Sequence, residues 1–158
     1  MPTVVAARPG YPAVVVTVRR TTTAGTDAVW AVLADGWQLP SWVVGAARVS
    51  AVDPTWPAVG ARLRYGIGGW PLVLPGSASV TASTLMQELA LHGRTPFGGV
   101  DVRVRITDAP TGCVLEITED VVSGPAHLVP ARVRAAAIGA RNVETLRRLA
   151  LLAEAPAP

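Results

Sequence analysis

The chain contains no lysine: all fourteen of its basic residues are arginine. It has one cysteine, Cys113, one phenylalanine and two tyrosines. Charged residues make up only 16% of it, and no apolar run approaches the roughly 18–20 residues a membrane helix needs. Each shortage excludes something. A lone thiol closes no internal disulfide, and no Cys/His set has zinc spacing, so neither a staple nor a metal is expected. The arginines are scattered or sit in pairs such as Arg19–Arg20, Arg62/Arg64, Arg103/Arg105 and Arg147–Arg148. A net charge of +3 spread in this way does not build a nucleic-acid face, and no nucleic-acid partner is expected. HExxH, GxSxG and phosphate-binding glycine loops are missing, and Gly66-Ile67-Gly68-Gly69 lacks the setting of a dinucleotide fingerprint. Nothing calls for a cofactor. The first twelve residues lack a basic start, an apolar block and a cleavage site, so the cytoplasm is the expected location, without membrane insertion.

What is present is apolar and patterned. Half of the 158 residues are apolar, enough for one domain with a substantial core. Residues 1–12, with Pro2, Pro9, Gly10 and Pro12, read as a loose lead-in, 13–153 as a single domain, and 154–158 as a frayed tail. Ala13–Thr21 is Val-rich and β-prone. Thr26 stands where a helix cap belongs, ahead of Asp27–Ala34 with Val29, Val32 and Leu33 at helical spacing. Trp37–Val43 reads as a second short helix interrupted by Pro40. Strands are then expected at Ala47–Val52, Ala61–Ile67, Ala78–Met86, Glu88–Thr95, Val100–Thr107 and Cys113–Val121, with Pro75-Gly76 as a turn and Asp108–Gly112 as a hairpin. Alternation is clearest where Leu63, Tyr65 and Ile67 oppose Arg62 and Arg64, and where Val102, Val104 and Ile106 oppose Arg103 and Arg105.

From Ala126 to Ala153 the period changes to that of an amphipathic helix of about twenty residues or more. Val129, Val133, Ala136, Ala140, Val143 and Ala150 form an apolar stripe on it. The fold class is therefore α+β: about seven antiparallel strands with one apolar face, which needs the last helix as its cover. Because that stripe is rich in alanine, either a hollow remains under the helix or large strand residues pack down to fill it.

Several segments carry a family likeness. They are Thr26-Asp27-Ala28-Val29-Trp30-Ala31-Val32-Leu33-Ala34-Asp35 with Pro40-Ser41-Trp42, then Trp56-Pro57-Ala58-Val59-Gly60, Glu119-Asp120-Val121-Val122-Ser123-Gly124-Pro125, and Arg141 through Leu149. Their order and spacing resemble the polyketide cyclase/dehydrase and lipid-transport superfamily, the START-like or SRPBCC proteins, over roughly residues 13–152. The resemblance implies a helix-grip fold with a hydrophobic cavity. It does not imply one function, since members include carriers, cyclases and partner-binding modules.

The candidate ligand-binding residues follow from the inward strand faces and the helix. They are Leu63, Tyr65 and Ile67; Leu91; Val102 and Val104; Leu115, Ile117 and Glu119; Val133, Ala136 and Ala140; and Trp37 and Trp42 in the short-helix region. Glu119 shares its face with Leu115 and Ile117. There it could act as general acid or base, anchor a polar ligand group, or simply pair with an arginine or with backbone near Ser123-Gly124-Pro125. The Tyr65 hydroxyl could orient a ligand, donate to an oxyanion, or sit at the rim of an ordinary core. These two are the only catalytic candidates. Trp30 reads as core, Trp56 and Trp70 as loop anchors, His92 as outward-facing and Cys113 as a small buried hydrophobe. The expected partner is a small hydrophobic molecule bound without reaction. The alternatives are an aromatase/cyclase using Tyr65 and Glu119, and a protein-interaction module; a homodimer is compatible with the sequence.

Overall fold

A computed structural model describes residues 3–5 and 14–155. The expected lead-in and tail fall largely outside these residues. Within the lead-in, however, Thr3–Val5 forms a short strand, β1, paired antiparallel with Val15–Thr17. Such pairing covers the backbone groups of an edge strand. The order continues β2 (Val15–Thr22), α1 (Thr26–Ala34), α2 (Leu39–Trp42), β3 (Ala46–Val52), β4 (Arg62–Gly69), β5 (Leu72–Thr84), β6 (Glu88–Thr95), β7 (Gly98–Ala109), β8 (Gly112–Val121) and α3 (Ala131–Glu154). The eight strands make one antiparallel sheet in the spatial order β1-β2-β8-β7-β6-β5-β4-β3. Register shifts within β3 and β5 bend it. The helices α1 and α2 cross from β2 to the far edge at β3, and α3 returns across the concave face.

The local chemistry departs from expectation in three places. Thr26 is the first helical residue rather than the cap, because Gly25 O already accepts from Val29 N at 3.2 Å. Instead, Asp35 caps the 3-10 turn at Gly36–Gln38, accepting from Trp37 N and Gln38 Nε2 at 3.0 Å each. Pro75-Gly76 is not a turn. Both lie in β5, opposite Gly66 and Tyr65, and the chain reverses at Trp70-Pro71, which leaves Trp70 exposed at a hairpin tip rather than anchored. Finally, residues 126–130 are not helical in the α sense. A 3-10 turn spans Pro125–Leu128, and α3 starts after Pro130, with buried Arg134 donating through Nη1 to Ala126 O and Val129 O.

The outer sheet face is wet and charge-paired. Glu88 on β6 accepts from Arg103 Nη1 and Arg105 Nε of β7, 2.9 Å each, and Arg19 meets Glu116 at 2.5 Å. Burial alone would push the Glu88 carboxyl up, but the hydrogen bonds and charges of Arg105 and Arg103 outweigh it and hold the carboxyl below its ordinary value.

The inner face is solid at one end. Leu33, Leu63, Leu89, Val104, Leu115, Leu146 and Leu149 are fully buried there, with Trp30 and Cys113 among their neighbours in the core. Of the expected stripe, only Ala150 belongs to the helix face that does this. Ile138, Leu146, Leu149 and Ala153 turn inward, while Val133 (59% exposed), Ala136, Ala140 and Val143 lie on the outside. Leucine and isoleucine remove more apolar area from water than alanine, so the heavier face takes the core.

Candidate functional site

At the other end of the concave face the packing opens. A cavity of about 130 Å³ lies between β4–β8, α2, the Val43–Ala46 connector and the middle of α3. For scale, a dry cavity of about 150 Å³ admits benzene, so this space takes roughly one aromatic ring. The room is made on the sheet side. Ala78 and Gly93 face the cavity from β5 and β6 and project almost nothing into it. Gly76 makes way for the Tyr65 ring, since a Cβ there would lie 3.3 Å from Tyr65 Cζ and 2.6 Å from Ile67 Cδ1. A Cβ on Gly93 would stand 3.7 Å from the Tyr65 hydroxyl, so that hydroxyl reaches across β5 to β6.

The lining is otherwise apolar, with Leu39, Trp42, Ile67, Leu91, Val100, Val102 and Ile117, and a few polar groups are set into it. Glu119, 2% exposed, projects from β8 as the period-2 pattern requires. Its carboxylate is engaged by the Arg141 guanidinium of α3, whose side chain is partly open to solvent. Burial pushes the Tyr65 phenol above its usual value of 10, against the pull of Arg141 and with the push of Glu119. Near neutral pH Tyr65 therefore remains a hydrogen-bond donor. Thr145 of α3 accepts from Val44 N at 3.2 Å, which ties the cavity's connector wall to the helix.

Seven of the sequence candidates meet here: Trp42, Tyr65, Ile67, Leu91, Val102, Ile117 and Glu119. Leu63, Val104 and Leu115 face inward as expected but belong to the solid end of the core. Trp37 is 59% exposed and does not line this cavity. Val133 is exposed, and Ala136 and Ala140 lie away from this cavity, on an exposed groove between α3 and Thr17–Arg19 of β2. Sequence reading missed Arg141, Asn142 and Thr145, which sit on the cavity side of α3, and Ala78, Gly93, Thr95 and Val100. One signal pointed to Arg141: a carboxylate at Glu119 on an apolar face demands a cation, and the last helix is the element that faces it. Elsewhere His92 faces outward and meets Asp101 at 2.6 Å, Cys113 is buried, and Trp56 donates its Nε1 to Leu33 O at 3.2 Å.

No protein-family sequence model matches the chain, and no curated protein matches it by sequence. Solved structures do match its shape. The Zhui aromatase/cyclase from Streptomyces sp. R1128 superposes with a TM-score of 0.70 at 18% identity, covering 90% of this chain and 94% of that one. The chain has the START-like, helix-grip fold. Protein CV1439 from Chromobacterium violaceum shares it, with a TM-score of 0.71 at 15% identity over 90% of this chain and 99% of that chain. The di-domain aromatase/cyclase StfQ of the steffimycin biosynthetic pathway matches with a TM-score of 0.73 at 12% identity; the START-like chain covers 51% of its length. At these identities the likeness establishes the fold and nothing finer. No helix among the described residues is long and apolar enough to cross a membrane.

Proposed function

We propose that this START-like protein binds a small hydrophobic molecule — lipid, polyketide-like or aromatic — in the cavity under α3, without transforming it. The supporting observation is the character of the lining: an apolar pocket whose one carboxylate, Glu119, is already held by Arg141. Acid/base chemistry on a substrate is best served by a pair of titratable groups set apart for the two roles, and Glu119, bound through Oε2 to Arg141, is the only carboxylate in this lining. With room for about one ring, a longer ligand extends through the mouth or displaces lining side chains. Tryptophan emission tests the reading, because the Trp42 indole faces the cavity. A panel of fatty acids, aromatic hydrocarbons and aromatic ketones should give at least one saturable change in emission. A flat response to the whole panel overturns the reading.

A second reading is an aromatase/cyclase. It is favoured by the convergence of Tyr65, Glu119 and Arg141 on one cavity, in a fold that Zhui and StfQ also have. There Tyr65 would donate to an oxyanion, and Glu119 would move a proton once freed from Arg141. Turnover of a poly-β-keto substrate that disappears in Glu119→Gln would support this reading; no turnover in the parent protein rejects it.

A further inference from the structure

Two buried donors in the cavity wall have no acceptor. Trp42 of α2 is 3% exposed and Asn142 of α3 is 1% exposed, and both line the cavity. Trp42 Nε1 and Asn142 Nδ2 are shielded from solvent, and among the described residues no protein atom accepts from either. By contrast, the indole N–H of half-buried Trp56 does find a backbone acceptor, Leu33 O. Such donors are expensive to leave unmet, and because α2 packs directly on α3 the two side chains belong to adjoining walls of the cavity.

We propose that Trp42 and Asn142 form a donor pair that selects, among apolar ligands, those carrying a carbonyl oxygen of the ketone or ester type. This rests on the cavity-binding reading above and adds the polar group the ligand must carry and where it sits. A carbonyl oxygen has two lone pairs and brings no proton of its own, which matches two donors. An alcohol or amine brings a proton of its own that needs a further acceptor, whereas a carbonyl oxygen only accepts. A carboxylate would bring a charge that the cavity does not balance, because Arg141 is already committed to Glu119. The ligand is thereby oriented, its oxygen toward α2 and α3 and its apolar body along Leu91, Val102 and Ile117.

Acetophenone and ethylbenzene test this: each is one ring with a two-carbon chain, and they differ by one carbonyl oxygen. Calorimetric titration of the parent protein should show acetophenone bound more tightly, by roughly three- to tenfold for each donor engaged. In Trp42→Phe and in Asn142→Leu that preference, taken as the ratio of the two affinities within each variant, should shrink by the same factor. Equal affinity of the parent for both probes, or a preference that survives in both variants, overturns the donor pair and leaves cavity binding standing. No binding of either probe overturns cavity binding itself and the donor pair with it. Should Asn142→Leu lose its far-ultraviolet helical signal, Trp42→Phe, which keeps an aromatic ring in place, decides.

Discussion

The Glu119–Arg141 pair is asymmetric: the carboxylate is buried, whereas the guanidinium is partly exposed. Removing the arginine strands a charge inside an apolar wall, which costs far more than the pair itself contributes. Arg141→Met should therefore lower the unfolding free energy by about 2–4 kcal/mol at neutral pH. The double variant Arg141→Met/Glu119→Gln should recover more than half of that loss. Urea denaturation of the two single variants and the double measures it; if Arg141→Met is as stable as the parent, the pair is not what keeps Glu119 tolerable. Tyr65 illustrates a different point. Its direction was readable from alternation, but the space for its ring depends on Gly76, and its hydroxyl reaches toward Gly93 on β6. Neither glycine sits near Tyr65 in the chain, so only the pairing of β4, β5 and β6 brings them together.

The helix α3 is held along its length by different means. Ile138, Leu146 and Leu149 bury its inner face. At its last turn Glu154 accepts from Thr22 Oγ1 at 2.5 Å and from Thr23 N at 3.2 Å, which fastens the helix end to the end of β2. Those hydrogen bonds, the Thr22 hydroxyl's first, hold the Glu154 carboxyl below its ordinary value. Nearly three turns earlier, hydrogen bonds from Arg147 and Arg148 hold Glu144 at about 2, against an ordinary value of 4.5. Both carboxyls are depressed in the folded state, so their contribution is present above the unfolded value and is lost as pH falls through the folded one. Thermal melts should fall as pH drops from about 4.5 toward 2. In Glu144→Gln/Glu154→Gln that decline should be shallower. Circular dichroism melts across this range check it; identical slopes would mean that other carboxylates dominate. The stripe expected on this helix, apart from buried Ala150, faces away from the core for an instructive reason. Asn142 and Thr145 are polar yet face the cavity, so a rule that sends polar residues outward rotates the helix.

Among the described residues the sheet's inner face is solid at one end and opens on the cavity at the other. Successive rungs across β7 and β8 show the change: Ile106–Leu115 is packed, Val104–Ile117 marks the boundary, and Val102–Glu119 opens on the cavity. A guest that binds this folded hollow and not the unfolded chain must raise the melting temperature by mass action, with about 2.7 kcal/mol of stabilisation at a hundredfold excess over Kd. Gly93→Val puts carbon into the space beside the Tyr65 hydroxyl and should leave the fold intact while removing most of that ligand-induced shift. Differential scanning fluorimetry with the tightest member of the titration panel measures both. An undiminished shift in Gly93→Val would place the ligand elsewhere.

Alternation along β4, β7 and β8, the helical period of the last segment and the Asp108–Gly112 hairpin were enough to specify an α+β architecture and the inward direction of Tyr65 and Glu119. Those features arise from backbone geometry within a few residues, and a sequence carries them openly. Three things came from long-range packing. The rung where the core stops and the cavity starts separated Val104 from Val102. The rotation of α3 brought Arg141, Asn142 and Thr145 to the site and left Val133, Ala136 and Ala140 outside. The placing of Ala78 and Gly93 opposite those residues made the room. A period of two or 3.6 tells which way a side chain points; how much space lies in front of it depends on partners tens of residues away.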